Sequence, residues 1–420
     1  MTTIAQPRED GQNETVVPPT PEISAEIGRY RHTDFFDVSD ILTAEERAVR
    51  DKVSTFVDDN ILPEINYYWE NAEFPFDLVA RWAELGLVGG SVKGYGSPGL
   101  TPLAEGLISM QLARGDGSMA LINSVHSGMN MHLIDLLGSD EQKQRWLPSM
   151  ARCEKLSAFA LTEPAHGSDV VRMDTRAHRE GDYWVLNGAK RWIGLGTFAD
   201  LVLVWARDED NGGVGCFVIE RERDEEVPGY TATPMVRKTA MRAMINADIT
   251  LENVKVPVEN RIAGAHQFSD ASRALTKSRQ SIAWDGLGHA IAAYECALAY
   301  VMQREQFGKP LAKFQLIQDK LANMVADITG MQTVCVRLAQ LEAQGKVKME
   351  QAALAKLNTA AGARRVTAMA RDMLGGNGVL LDYHVARHHC DVEGLYTFEG
   401  TDTVQSLIVG RAVTGMSAFA

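Results

Sequence analysis

The sequence lacks the cysteine pairs that indicate disulfide bonds or a zinc site. Its five cysteines are spread over 420 residues, and none of them begins a CxxC motif. This distribution is typical of reduced thiols and argues against the disulfide framework of a small secreted domain. The chain also lacks an unbroken apolar run of the roughly 20 residues that a membrane helix requires. We therefore expect no membrane span.

Targeting signals and a surplus of positive charge are missing as well. The opening MTTIAQPREDGQNETVVPPTPE has no basic start followed by an apolar segment, and its acidic residues fit a transit peptide poorly. The closing MSAFA is not a peroxisomal signal. A net charge of -13 does not favour binding to nucleic acid phosphates, which requires clustered lysine and arginine. We expect a cytoplasmic, bacterial protein that binds no nucleic acid.

The residues that are present predict a globular chain of several domains. Hydrophobic residues make up 45% of the sequence and charged residues 23%, which is enough for two or three domains. Residues 1-25 are polar and proline-rich, which predicts a disordered arm. Helical periodicity follows over 26-154, short β-branched and aromatic runs over 155-267, and helical periodicity again over 268-420. The predicted order is helical, β, helical.

Local signals predict where several of these elements begin or end. Thr43 followed by Glu46 is a capping-box pattern, which indicates a helix start. Asn187-Gly188 between two β-rich runs predicts a hairpin turn, because both residues tolerate positive φ angles. A long helix is expected to begin at Ser269 or Asp270, and another to end at Gly375-Gly376.

Two motifs suggest ligand sites that their surroundings do not support. GYGSPG, residues 94-99, matches GxGxxG, but a dinucleotide site also needs a preceding strand and an unbroken following helix. HVARHHCD, residues 384-391, holds three histidines, but His388 and His389 point apart on a helix and no second cluster has ligand spacing. We interpret the first motif as a connecting loop and the second as partly exposed helix residues, and we predict no metal.

Three stretches carry side chains suited to a bound cofactor. In AFALTEPAHGSD, residues 158-169, Thr162 and Ser168 can hydrogen-bond a phosphate or a ring edge, and an ordinary turn is the alternative. Trp192, in KRWIG, can pack on a flat heterocycle or serve as a structural tryptophan. Arg304, in REQFGKPL, can hold a phosphate or be a solvated residue at a helix end.

Glu399 is the candidate for acid-base chemistry. It lies between Phe398 and Gly400, just before Asp402, which with Gln405 resembles a helix cap. An apolar neighbour raises the pKa of a carboxyl group towards the range of a useful base, and a glycine lets a substrate approach the backbone. The alternative is an ordinary glutamate at the surface or beside a cap.

Taken together, the motifs LTEPAHGSD, NGAKRWIG, REQFGKPL, FQLIQDKLA, MLGGNG and YTFEGTDT give the chain a family resemblance. Over roughly residues 35-415 it resembles the acyl-CoA dehydrogenase and oxidase flavoproteins, especially the short-chain acyl-CoA oxidase and glutaryl-CoA dehydrogenase branch. The resemblance implies an α+β fold with a helical N-terminal domain, a central β-barrel domain and a C-terminal four-helix bundle. It also implies a homotetramer with FAD bound between subunits, and a role in fatty acid β-oxidation.

The resemblance assigns roles to individual residues. Glu399 matches the base that takes the α-proton of an acyl-CoA while a hydride leaves the β-carbon for FAD. Ser168, Arg279 and Gly400 match positions that contact substrate. The positions that match FAD contacts are Phe159, Ala160, Leu161, Thr162, Ser168, Trp192, Ile193, Gly194, Arg304, Gln315, Asp372, Met373, Leu374, Gly375, Gly376, Thr401 and Thr403.

Two departures from the family pattern bear on the reaction. Ala120 stands where glutaryl-CoA dehydrogenases carry an arginine for the far carboxylate of the substrate, which disfavours glutaryl-CoA. Gly194 stands where most dehydrogenases have threonine, and the plant short-chain oxidase shares this glycine. The electron acceptor is therefore either electron-transferring flavoprotein or oxygen.

The leading hypothesis is an FAD-dependent dehydrogenase that converts a short- to medium-chain acyl-CoA to the trans-2-enoyl-CoA. The second is a short-chain acyl-CoA oxidase. A third, of another class, is a catalytically idle relative that serves as a binding or assembly partner, and a fourth is a nitroalkane-oxidising or monooxygenase relative. The presence of Glu399 argues against both of the latter hypotheses.

Overall fold

The computed structural model describes residues 33-223 and 225-418, so the predicted arm at 1-25 lies outside the described residues. The N-terminal part is helical, as predicted, and GYGSPG forms a short hairpin of β1 (Lys93–Gly94) and β2 (Ser97–Pro98). A π-helical segment, Ser124–Met131, joins α5 to α6. The helices are α1 (Ala44–Phe56), α2 (Leu62–Asn71), α3 (Phe76–Glu84), α4 (Pro102–Gly115), α5 (Gly117–Asn123), α6 (His132–Leu137) and α7 (Asp140–Ala151).

Helix α1 begins where the sequence predicts. The hydroxyl of Thr43 accepts a hydrogen bond from the Glu46 N–H at 3.1 Å, and the Glu46 carboxylate accepts one from the Thr43 N–H at 3.0 Å. These two bonds satisfy backbone donors that a helix start otherwise leaves unpaired. The predicted capping box is confirmed.

A curled seven-stranded sheet forms the centre of the chain and confirms the predicted β domain. The strands run in the order β3-β6-β4-β5-β9-β8, with β7 also paired to β6. Strand β6 is buried along most of its length because it pairs with β3, β4 and β7. The strands are β3 (Ser157–Ala160), β4 (Arg176–Glu180), β5 (Tyr183–Gly194), β6 (Leu201–Asp208), β7 (Val214–Glu220), β8 (Tyr230–Pro234) and β9 (Asn246–Pro257).

The hairpin predicted at Asn187-Gly188 is wrong. Strand β5 runs straight through both residues, and they lie at a bulge in its pairing with β9. Gly188 has a φ of 149°, and a Cβ there would come within 2.5 Å of the Thr175 hydroxyl, so the glycine is needed for close packing. The tight turn lies earlier, at Gly181 between β4 and β5, with a φ of 60°.

Helices return after the sheet, again as predicted. The N-cap of α8 is Gln267, two residues before the nearest predicted cap at Ser269, and the side chain of Asp270 accepts a hydrogen bond from the Gln267 N–H. Helix α10 ends just before Gly375, whose φ is 59°, as predicted. The elements are α8 (Phe268–Gln303), β10 (Glu305–Gln306), β11 (Lys309–Pro310), α9 (Gln315–Ala343), α10 (Met349–Met373), α11 (Val385–Thr397) and α12 (Asp402–Thr414).

Helix α8 organises the molecule because α4, α9, α10 and α11 all pack against it. Among the described residues, no helix is both long and apolar enough to cross a bilayer. The sequence divisions at 154/155 and 267/268 fall between groups of elements, and they remain our predictions of the domain limits.

The histidine motif on α11 is partly exposed, as expected, at His384 and His389, but not at His388. His388 is fully buried, with its Nδ1 at 2.8 Å from Nδ1 of His289 on α8. The neighbouring Arg387 is also fully buried and forms an ion pair with Asp116 at 2.6 Å. Helix α11 is enclosed on this side by α5 and α8, so one face of it is interior in spite of its polar sequence.

Candidate active site

Glu399 lies in the short loop that joins α11 to α12. Its backbone is left-handed, with a φ of 56°, which is unusual for a residue other than glycine. The Ser278 hydroxyl donates a hydrogen bond to Glu399 Oε2 at 2.8 Å. Arg279 Nε and Gln405 Nε2 both donate to the Glu399 carbonyl, at 3.3 Å and 2.9 Å. The carboxylate is therefore oriented by a side chain of α8, and its backbone is held by two more.

Lys356 of α10 supports the same loop and was missed by the sequence analysis. Its side chain is fully buried, and its ammonium donates to the carbonyls of Phe398 at 2.9 Å and Gly400 at 2.7 Å. The residues with these two carbonyls flank Glu399, so Lys356 holds the loop on both sides of it. The only signal in the sequence is a single lysine inside the alanine-rich run AALAKLNTAAG.

The surroundings of Glu399 suit a base. Burial raises its pKa above the ordinary value of 4.5, and the lowering effects of Ser278, Arg279 and Lys356 do not cancel this rise. A carboxyl group with a raised pKa binds a proton more tightly, which makes it a stronger base when ionised.

The residues around Glu399 include several that the sequence singled out. Arg279 is buried beside it, whereas Ser168 is an exposed residue of the sheet domain. The helix cap expected at Asp402 is wrong by one residue. Thr401 caps α12, since its hydroxyl accepts the Val404 N–H at 3.2 Å. Its neighbour Thr403 is exposed.

The first group of predicted cofactor residues lies where β3 and β5 end side by side. The Arg191 N–H donates to the Thr162 carbonyl at 2.8 Å, which joins the two segments. Trp192 is 53% exposed, and its backbone is left-handed with a φ of 65°. Phe159 is half-buried. The others are buried: Ala160, Leu161, Ile193 and Gly194. An exposed indole suits a flat heterocycle such as flavin.

Lys190 anchors this edge of the sheet and was also missed. It is fully buried and donates to the Leu161 carbonyl at 3.0 Å and to Glu163 Oε1 at 2.8 Å. Burial lowers its pKa to about 8 against the opposing effect of Glu163. The pair fixes the backbone that leads to Thr162.

The second group of predicted cofactor residues lies at one end of the α8–α10 bundle. Arg304 follows α8, Gln315 starts α9, and both side chains are exposed. Asp372, near the end of α10, forms an ion pair with Lys320 of α9. Met373 and Leu374 are buried, so only their backbone can reach a ligand. Added Cβ atoms at Gly375 and Gly376 would meet nothing within 4 Å, which leaves room for a ligand.

The two groups lie on different parts of the fold, one on the sheet and one on the helical bundle. This separation fits a cofactor that is shared between two copies of the chain, as the family resemblance implies. The polar side chains Arg304 and Gln315 suit a phosphate and a nucleotide, and Trp192 suits the ring system.

Comparisons with known proteins agree with this geometry. Residues 43–154, 158–254 and 268–414 match the N-terminal, middle and C-terminal domains of acyl-CoA dehydrogenase. The short-chain specific acyl-CoA dehydrogenase of Clostridium acetobutylicum is 33% identical over 377 residues, which cover 89% of this chain and 98% of that protein.

Two solved structures from Mycobacterium smegmatis have the same fold. The glutaryl-CoA dehydrogenase structure has a TM-score of 0.89 and 38% identity, covering 93% of this chain and 100% of that chain. A second glutaryl-CoA dehydrogenase structure, in complex with FADH2, has a TM-score of 0.88 and 35% identity. The match covers 92% of this chain and 98% of that chain. The chain therefore belongs to the acyl-CoA dehydrogenase family, whose members are FAD-binding oxidoreductases that act on CH–CH groups.

Proposed function

We propose that this chain dehydrogenates a short- to medium-chain acyl-CoA to the trans-2-enoyl-CoA, with Glu399 as the base. The observation that carries the proposal is the carboxylate of Glu399, fixed by Ser278 in a left-handed loop and given a raised pKa by burial. Bound FAD supplies the acceptor for the hydride that leaves the β-carbon.

The chain supplies the proton chemistry and the positioning. The Glu399 carboxylate takes the α-proton. The family resemblance makes the Glu399 N–H a donor to the thioester carbonyl, which would stabilise the enolate-like charge. Arg279 and Gly400, which adjoin Glu399, would contact the substrate, with Ser168 reaching it from the sheet domain.

FAD would be held by both groups of residues described above, from two subunits of a homotetramer. Trp192, Thr162 and their neighbours would surround the flavin ring, and Thr401 and Thr403 would close the side next to Glu399. Arg304, Gln315 and residues 372-376 would hold the pyrophosphate and adenosine. Exposed apolar side chains lie at that end of the bundle, Phe307 at 91% and Leu316 at 78% exposed, which supports a subunit interface there.

The proposed reaction has two candidate electron acceptors. Electron-transferring flavoprotein is the first, and oxygen is the second. Gly194 keeps oxygen as a candidate, because the plant short-chain oxidase shares this glycine. A side chain at this position would require Met244 to move, since its methyl lies 2.3 Å from an added Cβ. We propose a bacterial, cytoplasmic enzyme, and the clostridial and mycobacterial relatives support the bacterial origin.

An anaerobic reduction experiment tests the proposal. The purified yellow protein is mixed with butyryl-CoA without air, and the flavin absorbance is followed. We expect bleaching in the wild type and in Glu84→Gln, an exposed glutamate of α3 that serves as the matched control. Glu399→Gln should keep its flavin and fail to bleach. If Glu399→Gln bleaches at the wild-type rate, Glu399 is not the base.

Admission of air after bleaching then separates the two acceptors. Rapid return of the flavin colour with formation of peroxide would favour oxygen. Slow return would favour electron-transferring flavoprotein as the acceptor.

A further inference from the structure

A β-bulge near the end of β5 sets the direction of the Trp192 side chain. Lys190 pairs with Ile249 of β9 and Ile193 pairs with Ala247, so β5 has one residue more than β9 between these pairs. A bulge of this kind re-aims a side chain and interrupts the pairing of its strand. The left-handed backbone of Trp192 and its half-exposed indole lie at this point. The regular pairing of the sheet therefore does not fix the direction of the indole.

The start of β9 and the residue before it hold this irregular segment instead. The side-chain Nδ2 of Asn246 donates a hydrogen bond to the Trp192 carbonyl at 3.2 Å. Leu195, which is also left-handed with a φ of 63°, donates its N–H to the Ile245 carbonyl at 2.8 Å. Left-handed backbone at residues other than glycine persists only where its surroundings hold it. Asn246 is thus the side chain that fixes the backbone of Trp192.

Lys238, in the loop between β8 and β9, determines which way the Asn246 amide points. Its ammonium donates to Asn246 Oδ1 at 2.7 Å, to the Met241 carbonyl at 2.9 Å, and to the Met244 carbonyl. An ammonium has three donors and no acceptor, so only the oxygen of the amide can face it. The amide nitrogen is then left to donate to Trp192. The ammonium therefore fixes the orientation of the amide, and the amide fixes the bulge.

The loop that carries Lys238 is itself tied to two helices. The Met241 N–H donates to the buried carboxylate of Asp391 on α11 at 2.5 Å, and the Trp69 indole N–H of α2 donates to the same oxygen at 2.9 Å. Arg242 donates to the Lys238 carbonyl at 2.8 Å and to the Trp69 carbonyl at 2.9 Å. Burial lowers the pKa of Lys238 to about 8 against the opposing effect of Asp391, so its ammonium is protonated at neutral pH. The cation is thus held in place from the helical part of the molecule.

We propose that Lys238 is a positioning residue for bound FAD, which acts through Asn246 to hold the indole of Trp192 where the flavin ring packs. The inference rests on the proposed function, which places the flavin beside Trp192. No bond is made or broken at Lys238. Its loss would free the Asn246 amide to turn and the bulge to relax, so that the indole would no longer be held for stacking.

Release of FAD from the full-length holoenzyme tests the proposal. Each purified protein is diluted, and the flavin fluorescence that appears gives the dissociation constant of FAD. We expect Lys238→Met to raise this constant about tenfold, the size of one lost hydrogen bond in a binding equilibrium. Asn246→Ala, which keeps the lysine but removes the amide, should have the same effect. Lys255→Met, at an exposed lysine of β9, is the matched control and should release FAD as the wild type does.

A double-mutant cycle with Trp192 separates positioning from a merely structural role. Trp192→Ala should itself raise the dissociation constant about tenfold, because it removes the stacked indole. If Lys238 acts through this indole, adding Lys238→Met to Trp192→Ala should change the constant by less than about twofold. A structural role would weaken binding equally in both backgrounds, since effects at independent sites add. The same cycle with Asn246→Ala provides the test if Lys238→Met does not fold.

Three results would overturn the inference. A dissociation constant within about twofold of wild type in both Lys238→Met and Asn246→Ala would show that this contact does not position FAD. Unchanged FAD affinity in Trp192→Ala would show that the indole does not hold the flavin. Full additivity in the cycle would show that Lys238 does not act through Trp192. None of these measurements uses a thioester, so the proposed dehydrogenation is judged separately, by whether butyryl-CoA bleaches the flavin of the wild type.

Discussion

Replacement of Lys356 by methionine is expected to abolish most of the activity while changing stability little. Methionine keeps a chain of similar length in the buried site but removes the ammonium that holds the carbonyls of Phe398 and Gly400. These carbonyls flank Glu399, whose left-handed backbone relies on its surroundings. Without Lys356, we expect the base to move relative to the substrate.

The two effects on stability nearly cancel. Burial lowers the pKa of Lys356 from 10.5 to about 8, against the opposing effect of Glu399; a shift of this size corresponds to a cost on the order of 3 kcal/mol for holding the charge. Removal of the ammonium recovers that cost. It also leaves the Phe398 carbonyl without this donor, which costs about 1–3 kcal/mol. The Gly400 carbonyl keeps its bond from Gln405 at 2.9 Å. We therefore expect a net change within about 2 kcal/mol.

The effect on turnover is larger because catalysis depends on position. A displacement of reacting groups by about 1 Å can cost about 100-fold in rate. We expect kcat with the preferred thioester to fall about that much, with a modest change in KM and with FAD retained. The acid limb of the pH profile should also move upward, because the Lys356 ammonium lowers the pKa of Glu399. A merely structural role for Lys356 would leave that limb in place.

The assay combines turnover, flavin content, the pH profile of kcat/KM and thermal unfolding. Lys346→Met, at an exposed lysine of the loop before α10, is the matched control and should behave as the wild type. The reasoning is refuted if Lys356→Met keeps kcat within about threefold of wild type at full FAD occupancy, against the ~100-fold loss expected from misplacement.

Three further predictions follow from the same contacts. Ser278→Ala should shift the acid limb of kcat/KM to higher pH, because the Ser278 hydroxyl lowers the pKa of Glu399. Glu399→Gln should raise the thermal unfolding temperature at pH 8, since the raised pKa means that the folded state disfavours the ionised carboxylate; the gain should vanish near pH 4.5. Asp116→Asn should lower the free energy of unfolding by about 3–5 kcal/mol in urea denaturation. The reason is that it removes the charged partner of the buried Arg387 guanidinium.

Each of these has a result that would contradict it. An unchanged acid limb in Ser278→Ala would mean that this hydroxyl does not influence the base. A Glu399→Gln variant that is less stable than wild type at pH 8 would mean that the native carboxylate is stabilised by its neighbours. An Asp116→Asn variant within about 1 kcal/mol of wild type would show that Arg387 finds another partner; Asp327→Asn, whose exposed pair with Arg365 is worth little, is the control.

The sequence predicted the site best where local pattern and chemistry coincide. The neighbours of Glu399 and its family motif predict the candidate base, and the structure places it beside Ser278 and Arg279 with a raised pKa. The capping box at Thr43 and the glycine stop at Gly375 depend on a few adjacent residues, so both were predictable.

Other predictions failed because distant contacts outweigh local preference. Asn187-Gly188 has the signature of a turn, yet pairing with β9 carries the strand through it and Thr175 requires the glycine. His388 belongs to a polar stretch, yet packing of α11 against α5 and α8 buries it.

The sequence alone determined the order of helical and β segments, the helix ends that have strong caps, and the identity of the family, because these depend on periodicity, adjacent residues and ordered motifs. Only the tertiary structure decided that Lys356 supports the loop of Glu399 and that His388 of α11 is buried against His289 of α8. Those residues are far apart in the chain, and their chemistry arises only when helix packing brings them within hydrogen-bond distance and removes them from water.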